Sequence, residues 1–214
     1  MQVSRKKKKC LAIIVYCLCF YAVWTVFELC LKTSIDSQLI KTGVIKTAVW
    51  AVPAALLIHR FQDSVRIGLK EMFVTKVKWP RYLWVYALLI VWGLSGGLVQ
   101  AGGLSFSVDQ DALIVVLFAG VTEEMVFRGW LLNATAGELP GWLAIIINAA
   151  MFLLIHFPRF VQEGILISSF TSFNFVGLLV LSAIFGVAFL KSKNILVPIT
   201  MHMVYDFVLI AFLP

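Results

Sequence analysis

The chain has 214 residues, 61% of them hydrophobic and 14% charged, with a mean hydropathy of +0.96. Soluble domains are nearer a quarter charged, so this composition excludes one and implies an integral membrane protein. The net charge of +7 is not a nucleic-acid signature, because the basic residues flank apolar stretches, as suits an anionic lipid bilayer surface.

A basic run at 5–9 precedes an apolar stretch at 11–31. That stretch is about 20 residues, longer than the apolar body of a secretory signal, and no small-x-small site ends it. It therefore reads as an uncleaved first span. The four cysteines, Cys10, Cys17, Cys19 and Cys30, lie in or beside it without a CxxC pair, so they imply packing and no disulfide framework. Glu28, near its end, reads as interfacial.

A shorter second span, containing Pro53, follows at 44–58. Between 59 and 81 lie Arg60, Arg66, Lys70, Lys76, Lys78 and Arg81, against Asp63 and Glu71. The spacing of Arg66, Leu69, Lys70 and Phe73 fits an amphipathic helix on the inner membrane surface, with His59 at the interface. The third span, 82–103, is marked by Gly93, Gly96, Gly97, Gly102 and Gly103, which favour close helix approach.

An acidic loop at 105–111 leads to a fourth span at 112–132 and a turn at 133–140. The fifth span is expected at 141–157, a loop at 158–172 and the sixth span at 173–190. A basic turn with Lys191 and Lys193 precedes the seventh, at 195–213. The expected fold is an all-α polytopic transmembrane helical bundle of about seven spans. It divides into an N-terminal region at 1–103 and a core at 108–212. The bias of lysine and arginine places the N-terminus in the cytoplasm of a bacterial-type plasma membrane and the C-terminus outside. On this threading Lys32, Lys41, Lys46 and Arg159 fall on the outer side.

Six ionisable residues stand well inside these spans: Glu123, Glu124, Arg128, His156, His202 and Asp206. Each charge near the bilayer centre costs about 2.5–3.5 kcal/mol, so the group calls for pairing, transport or chemistry. Glu124 and Arg128, at i,i+4, share a helical face and can pair. Glu123 is turned about 100° away and is left to face a site, where it could act as a base near neutral pH. Asn148, Phe152 and His156 recur every four residues in the fifth span, and His202 and Asp206 repeat the i,i+4 device in the seventh. Phe152 alone suggests packing, and Asn148 a bridge between helices. Taken singly, Glu124–Arg128 suits a structural pair and each histidine a packed residue; convergence on one buried site satisfies all of them at once.

These residues resemble the CAAX-protease and bacteriocin-processing (Abi) family of intramembrane proteases. Its EExxxR, FxxxH and HxxxN motifs correspond here to Glu123-Glu124-Met-Val-Phe-Arg128, Phe152-Leu-Leu-Ile-His156 and His202-Met-Val-Tyr-Asp206. The resemblance covers about residues 108–212 and implies peptide-bond hydrolysis in the membrane. Glu123 would activate water with His156. His202 and Asp206 would stabilise the oxyanion or complete the site, and Glu124 and Arg128 would hold it together. It also implies a membrane-associated peptide or protein substrate, in CAAX-type processing or in bacteriocin or pheromone maturation or self-immunity. Zinc is an open possibility, with Glu123, His156, His202 and Asp206 as candidate ligands; a metal-free, glutamate-activated water is the other. Asp206 departs from the family's Asn: ionised, it cannot donate to an oxyanion, so it is protonated, orients His202 or ligates a metal. The alternatives are an inactive membrane scaffold or regulator of the same family, or an ion-coupled transporter.

Overall fold

The computed structural model of the chain describes residues 2–101, 105–172 and 174–212. Every regular element among them is a helix. Helix α1 is Gln2–Val26, extended by a wider, i→i+5 bonded turn at Phe27–Leu31. Helix α2 covers Leu39–Arg60 and α3 covers Leu83–Ala101. Helix α4, Gln110–Glu124, runs on into a π-wound segment, Met125–Leu132. Helices α5, α6 and α7 are Gly141–Gln162, Asn174–Ser192 and Leu196–Phe212. Lys7–Ser34, α2, α5 and α6 are long and apolar enough to cross a membrane; α7 is a shorter apolar helix. The chain is thus a polytopic helical bundle.

Local chemistry sets several boundaries. Asp109 caps α4, its carboxylate accepting a hydrogen bond from the Ala112 amide at 2.7 Å. The fifth helix does not stop at Phe157. It turns at Ile155 and His156, then resumes as Phe157–Gln162, with Pro158 in the first turn, where a missing N–H costs nothing. The expected loop at 158–172 therefore begins as helix, and Leu166–Thr171 adds another short helix. His156 consequently lies within α5 and not near its end.

The surface helix expected around Arg66, Leu69, Lys70 and Phe73 does not form; only Glu71–Val74 is helical. The backbone there has another partner. Asn133 accepts from the Ile67 amide at 2.8 Å and donates to the Ile67 carbonyl at 2.7 Å, pinning the linker to the end of the π-wound segment. Lys9 is also unlike its neighbours in the basic run. It is buried, and donates to the Ser64 carbonyl at 2.6 Å and to Glu138 at 2.8 Å.

Helix α7 packs against α3, α4 and α6, and α6 packs against α5. Two glycines let α7 approach closely. A Cβ on Gly93 of α3 would lie 2.7 Å from Val208 Cγ1. One on Gly120 of α4 would lie 2.7 Å from Met203 Cγ and 3.3 Å from the Ile199 carbonyl. In lipid, where no hydrophobic force drives helices together, such close packing supplies much of the association. Gly96 meets nothing within 4 Å and lines a cavity instead. Gly102 and Gly103 lie outside the described residues, as do Phe173 and Leu213 at expected span ends.

Because Gly120 sits one turn before Glu124 and faces the turn that carries His202, its contact also sets the spacing of the polar groups. Gly120→Val should lower stability by about 1–3 kcal/mol through overpacking, read as a fall in the thermal unfolding midpoint in detergent. A variant as stable as the parent would show that α4 and α7 are not in close contact there.

Candidate active site

The polar groups assemble around one carboxylate oxygen. Arg128 Nη1 donates to Glu124 Oε1 at 2.8 Å, and His202 Nδ1 lies 2.8 Å from the same oxygen. Arg128 Nη2 also donates to the Ser182 hydroxyl at 2.9 Å and to its carbonyl at 3.1 Å. Helices α4, α6 and α7 are thereby tied together. Both Glu124 and Arg128 are wholly buried, and neither reaches the cavity beside them. The Arg128 guanidinium lies 4.8 Å from the Phe152 ring centre and 5.3 Å from that of Phe185, within cation–π range. The His202 ring stacks on Phe185 at 5.2 Å.

Glu123 is on the other side of this wall. It lines a cavity of about 1030 Å³ together with His156, His202, Asp206 and Lys46. Glu123 Oε2 is 3.8 Å from His202 Nε2, and Asp206 Oδ2 is 3.4 Å from the same nitrogen. His156 Nδ1 lies 2.7 Å from the Phe152 carbonyl. A ring nitrogen facing a carbonyl must carry the proton, so the neutral ring keeps its acceptor at Nε2. Glu124, on α4, lies closer to His202 than Asp206 does and makes the hydrogen bond that orients the imidazole.

Asn148 belongs to the wall and not to the cavity: it donates to the Phe127 carbonyl at 2.7 Å, inside the π-wound segment. Phe152 is more than filler. Its ring packs 4.9 Å from His156, 6.2 Å from His202 and 4.9 Å from Phe127, spacing the two imidazoles. Of the six intramembrane ionisable residues, four face the cavity and two stand behind it.

Lys46 and Ser182 were not anticipated. Lys46 was placed among the outer lysines, yet it is buried and donates to Glu123 Oε1 at 2.6 Å, with its ammonium 4.5 Å from the Trp50 ring centre. Its sequence signal was available: a lysine inside the expected second span, subject to the same cost as the carboxylates. Ser182 had none, since a lone serine in an apolar helix is unremarkable. Lys46 lies in the 1–103 region, so the site is not contained in 108–212. Two fixed cations, Lys46 and Arg128, face three carboxylates, and His202 is the group able to carry the balancing proton. Glu28, expected at the interface, is buried at the cavity wall and accepts from Lys32 at 2.7 Å.

The candidate zinc ligands do not form a donor set. Among the described residues, no three His, Cys, Asp or Glu side chains gather as a metal ion requires. Glu123 Oε1 already receives an ammonium, His202 Nδ1 faces Glu124, and His156 Nδ1 faces a carbonyl.

On this bundle a carboxylate and two histidines share one cavity. Residues 110–208 match a family described as type II CAAX prenyl endopeptidase, Rce1-like. Through that segment, 99 of the 214 residues, the chain is similar to this family of proteases. Neither the curated proteins nor the solved structures yield a match.

Removing one partner of the buried pair strands the other. Arg128→Met should cost about 3–5 kcal/mol of stability, measured by tryptophan-monitored unfolding in detergent. Adding Glu124→Gln to Arg128→Met should restore part of it, because no buried charge is then left alone. Equal stability of Arg128→Met and the parent would refute a structural role for the pair.

Proposed function

We propose that this protein is an intramembrane endopeptidase that hydrolyses a peptide bond in a membrane-associated peptide or protein. The observation that carries the reading is the division of the two adjacent glutamates. Glu124 is held behind the wall by Arg128 and His202, while Glu123 faces the cavity with His156. Among the family's roles, CAAX-type processing and bacteriocin or pheromone maturation or self-immunity are the substrate classes considered.

In this mechanism Glu123 Oε2 and His156 Nε2 take up the proton of a water, whose oxygen attacks the scissile carbonyl carbon. The carbonyl oxygen becomes an oxyanion. Asp206 as a carboxylate cannot donate to it, and Arg128 does not reach the cavity. Next to Glu123 the cavity offers Lys46 Nζ and protonated His202 Nε2 as donors, which stabilise the negative charge. The C–N bond then breaks, and the proton held by the Glu123–His156 pair passes to the leaving amine. Lys46 also matches the charge of Glu123 in an apolar enclosure. Glu124, Arg128 and Ser182 act as positioning residues, and Asp206 faces His202 Nε2.

A second reading has its own support. The Lys46 ammonium covers one oxygen of Glu123 at 2.6 Å, and a carboxylate stands at 206, features that would suit a protein that binds without cleaving. Glu123→Gln separates the two. As a base in the reaction, Glu123 should lose about 10²–10⁴-fold in kcat on this substitution, and His156→Ala should lose a similar factor. Lys46→Met should cost about 10²–10³-fold, and Lys46→Arg should recover part. Purified variants with unchanged unfolding midpoints and full cleavage activity would leave only the binding reading.

Since no donor set gathers for zinc, cleavage by the purified enzyme should survive prolonged dialysis against a strong chelator. Loss of activity that zinc alone restores would overturn the metal-free mechanism.

A further inference from the structure

The cavity draws on one half of every helix. It takes α1 and its extension from Trp24 to Lys32, α2 from Gln38 to Trp50, and α3 at Trp92 and Gly96. From α4 it takes Val115 to Glu123, from α6 Asn174 to Phe185, and from α7 His202 to Ile210, while α5 contributes from Phe152 onward. With α4 counted through its π-wound continuation to Leu132, the contributing half alternates, C-terminal then N-terminal, along these seven helices, as it must when successive helices run in opposite directions. All of these halves lie at the same end of the bundle.

The basic linkers lie at the other end. Arg60 closes α2, Arg66 to Arg81 fill the segment before α3, and Lys191 and Lys193 lie between α6 and α7. None of these lines the cavity. The end at which it opens carries instead Asp36 and the loop 105–109, which has no basic residue. Four basic residues line the cavity at that end: Lys32 is paired with Glu28 at 2.7 Å, Arg159 with Glu163 at 2.8 Å and Lys46 with Glu123 at 2.6 Å, and Lys41 is the fourth, fewer than on the linkers at the other end. Lysine- and arginine-rich loops remain on the cytoplasmic side, held by translocation bias and by the anionic inner leaflet.

We infer that the cavity opens on the extracytoplasmic face, so the polypeptide it receives presents its scissile segment from that side. The inference rests on the protease reading for the word scissile, and on charge and geometry alone for the side. The substrate class is then a translocated or membrane-anchored polypeptide whose cleaved segment stands outside. A tail left on the cytoplasmic face by its synthesis or lipidation would meet the closed, basic end. Aromatic side chains of the cavity wall, Trp24, Trp50, Trp92 and Phe160, suit apolar side chains of such a segment.

The test has two arms. In a background with the free cysteines 10, 17, 19 and 30 changed to serine, single cysteines replace the exposed residues Asp36, Lys70 and Lys193. A membrane-impermeant maleimide should label Asp36→Cys in intact spheroplasts, and Lys70→Cys and Lys193→Cys only after permeabilisation. The reverse pattern overturns the inference. In the second arm, single-span reporters with a randomised juxtamembrane segment are co-expressed in both orientations. Cleavage should occur only where the segment is outside, and should disappear with Glu123→Gln. Glu123-dependent cleavage confined to cytoplasmic segments overturns the inference and leaves the protease reading standing. The expected labelling with no Glu123-dependent cleavage in either orientation overturns the protease reading and the substrate, and upholds the side.

Discussion

One oxygen atom, Glu124 Oε1, holds the centre of this protein together. It accepts from Arg128 and faces His202, while Arg128 reaches across to Ser182. Three helices are joined by polar contacts that no water can replace at this depth. A fully buried ion pair is a poor source of net stability, because desolvation offsets most of the attraction. What the pair supplies is geometry: few arrangements of α4, α6 and α7 satisfy all of its hydrogen bonds, and one of them puts His202 beside Glu123.

The rest of the bundle is shaped to permit that contact. Gly93 and Gly120 let α7 approach its neighbours, and Phe152 and Phe185 enclose the guanidinium between their rings. Three stretches of i→i+5 winding add to this. Arg128 lies in one, and Lys46 lies between two more in α2, Leu39–Ile45 and Thr47–Ala51. Wider turns shift where side chains emerge and free carbonyls for other donors, as the Asn148 bond to the Phe127 carbonyl shows. Charge is carried into an apolar interior only where partners on several helices meet it.

What could be anticipated was local. Helical spacing separated Glu123 from Glu124 and joined the latter to Arg128, because an i,i+4 relation needs only one helix. The same logic joined Asp206 to His202; that contact forms at 3.4 Å, and the structure adds a shorter one to the other ring nitrogen from Glu124, 78 positions away. The basic linker was expected as a surface helix from its spacing, but the side chain of Asn133 captures its backbone first. Lys46 carried the right composition signal and was sorted by loop charge instead of by depth.

By itself, the sequence determined an apolar, polytopic helical bundle and which polar residues could not be left in lipid without partners. These follow from composition and from periodicities within a turn or two, which tertiary contacts seldom overturn. Only the tertiary structure decided which partners those residues take and which of them meet the cavity. It also decided at which end of the bundle that cavity opens. Those outcomes depend on how separate helices approach and rotate against one another. The physical reason is that burial of a charge demands a partner without specifying it, and the packing of the helices makes the choice.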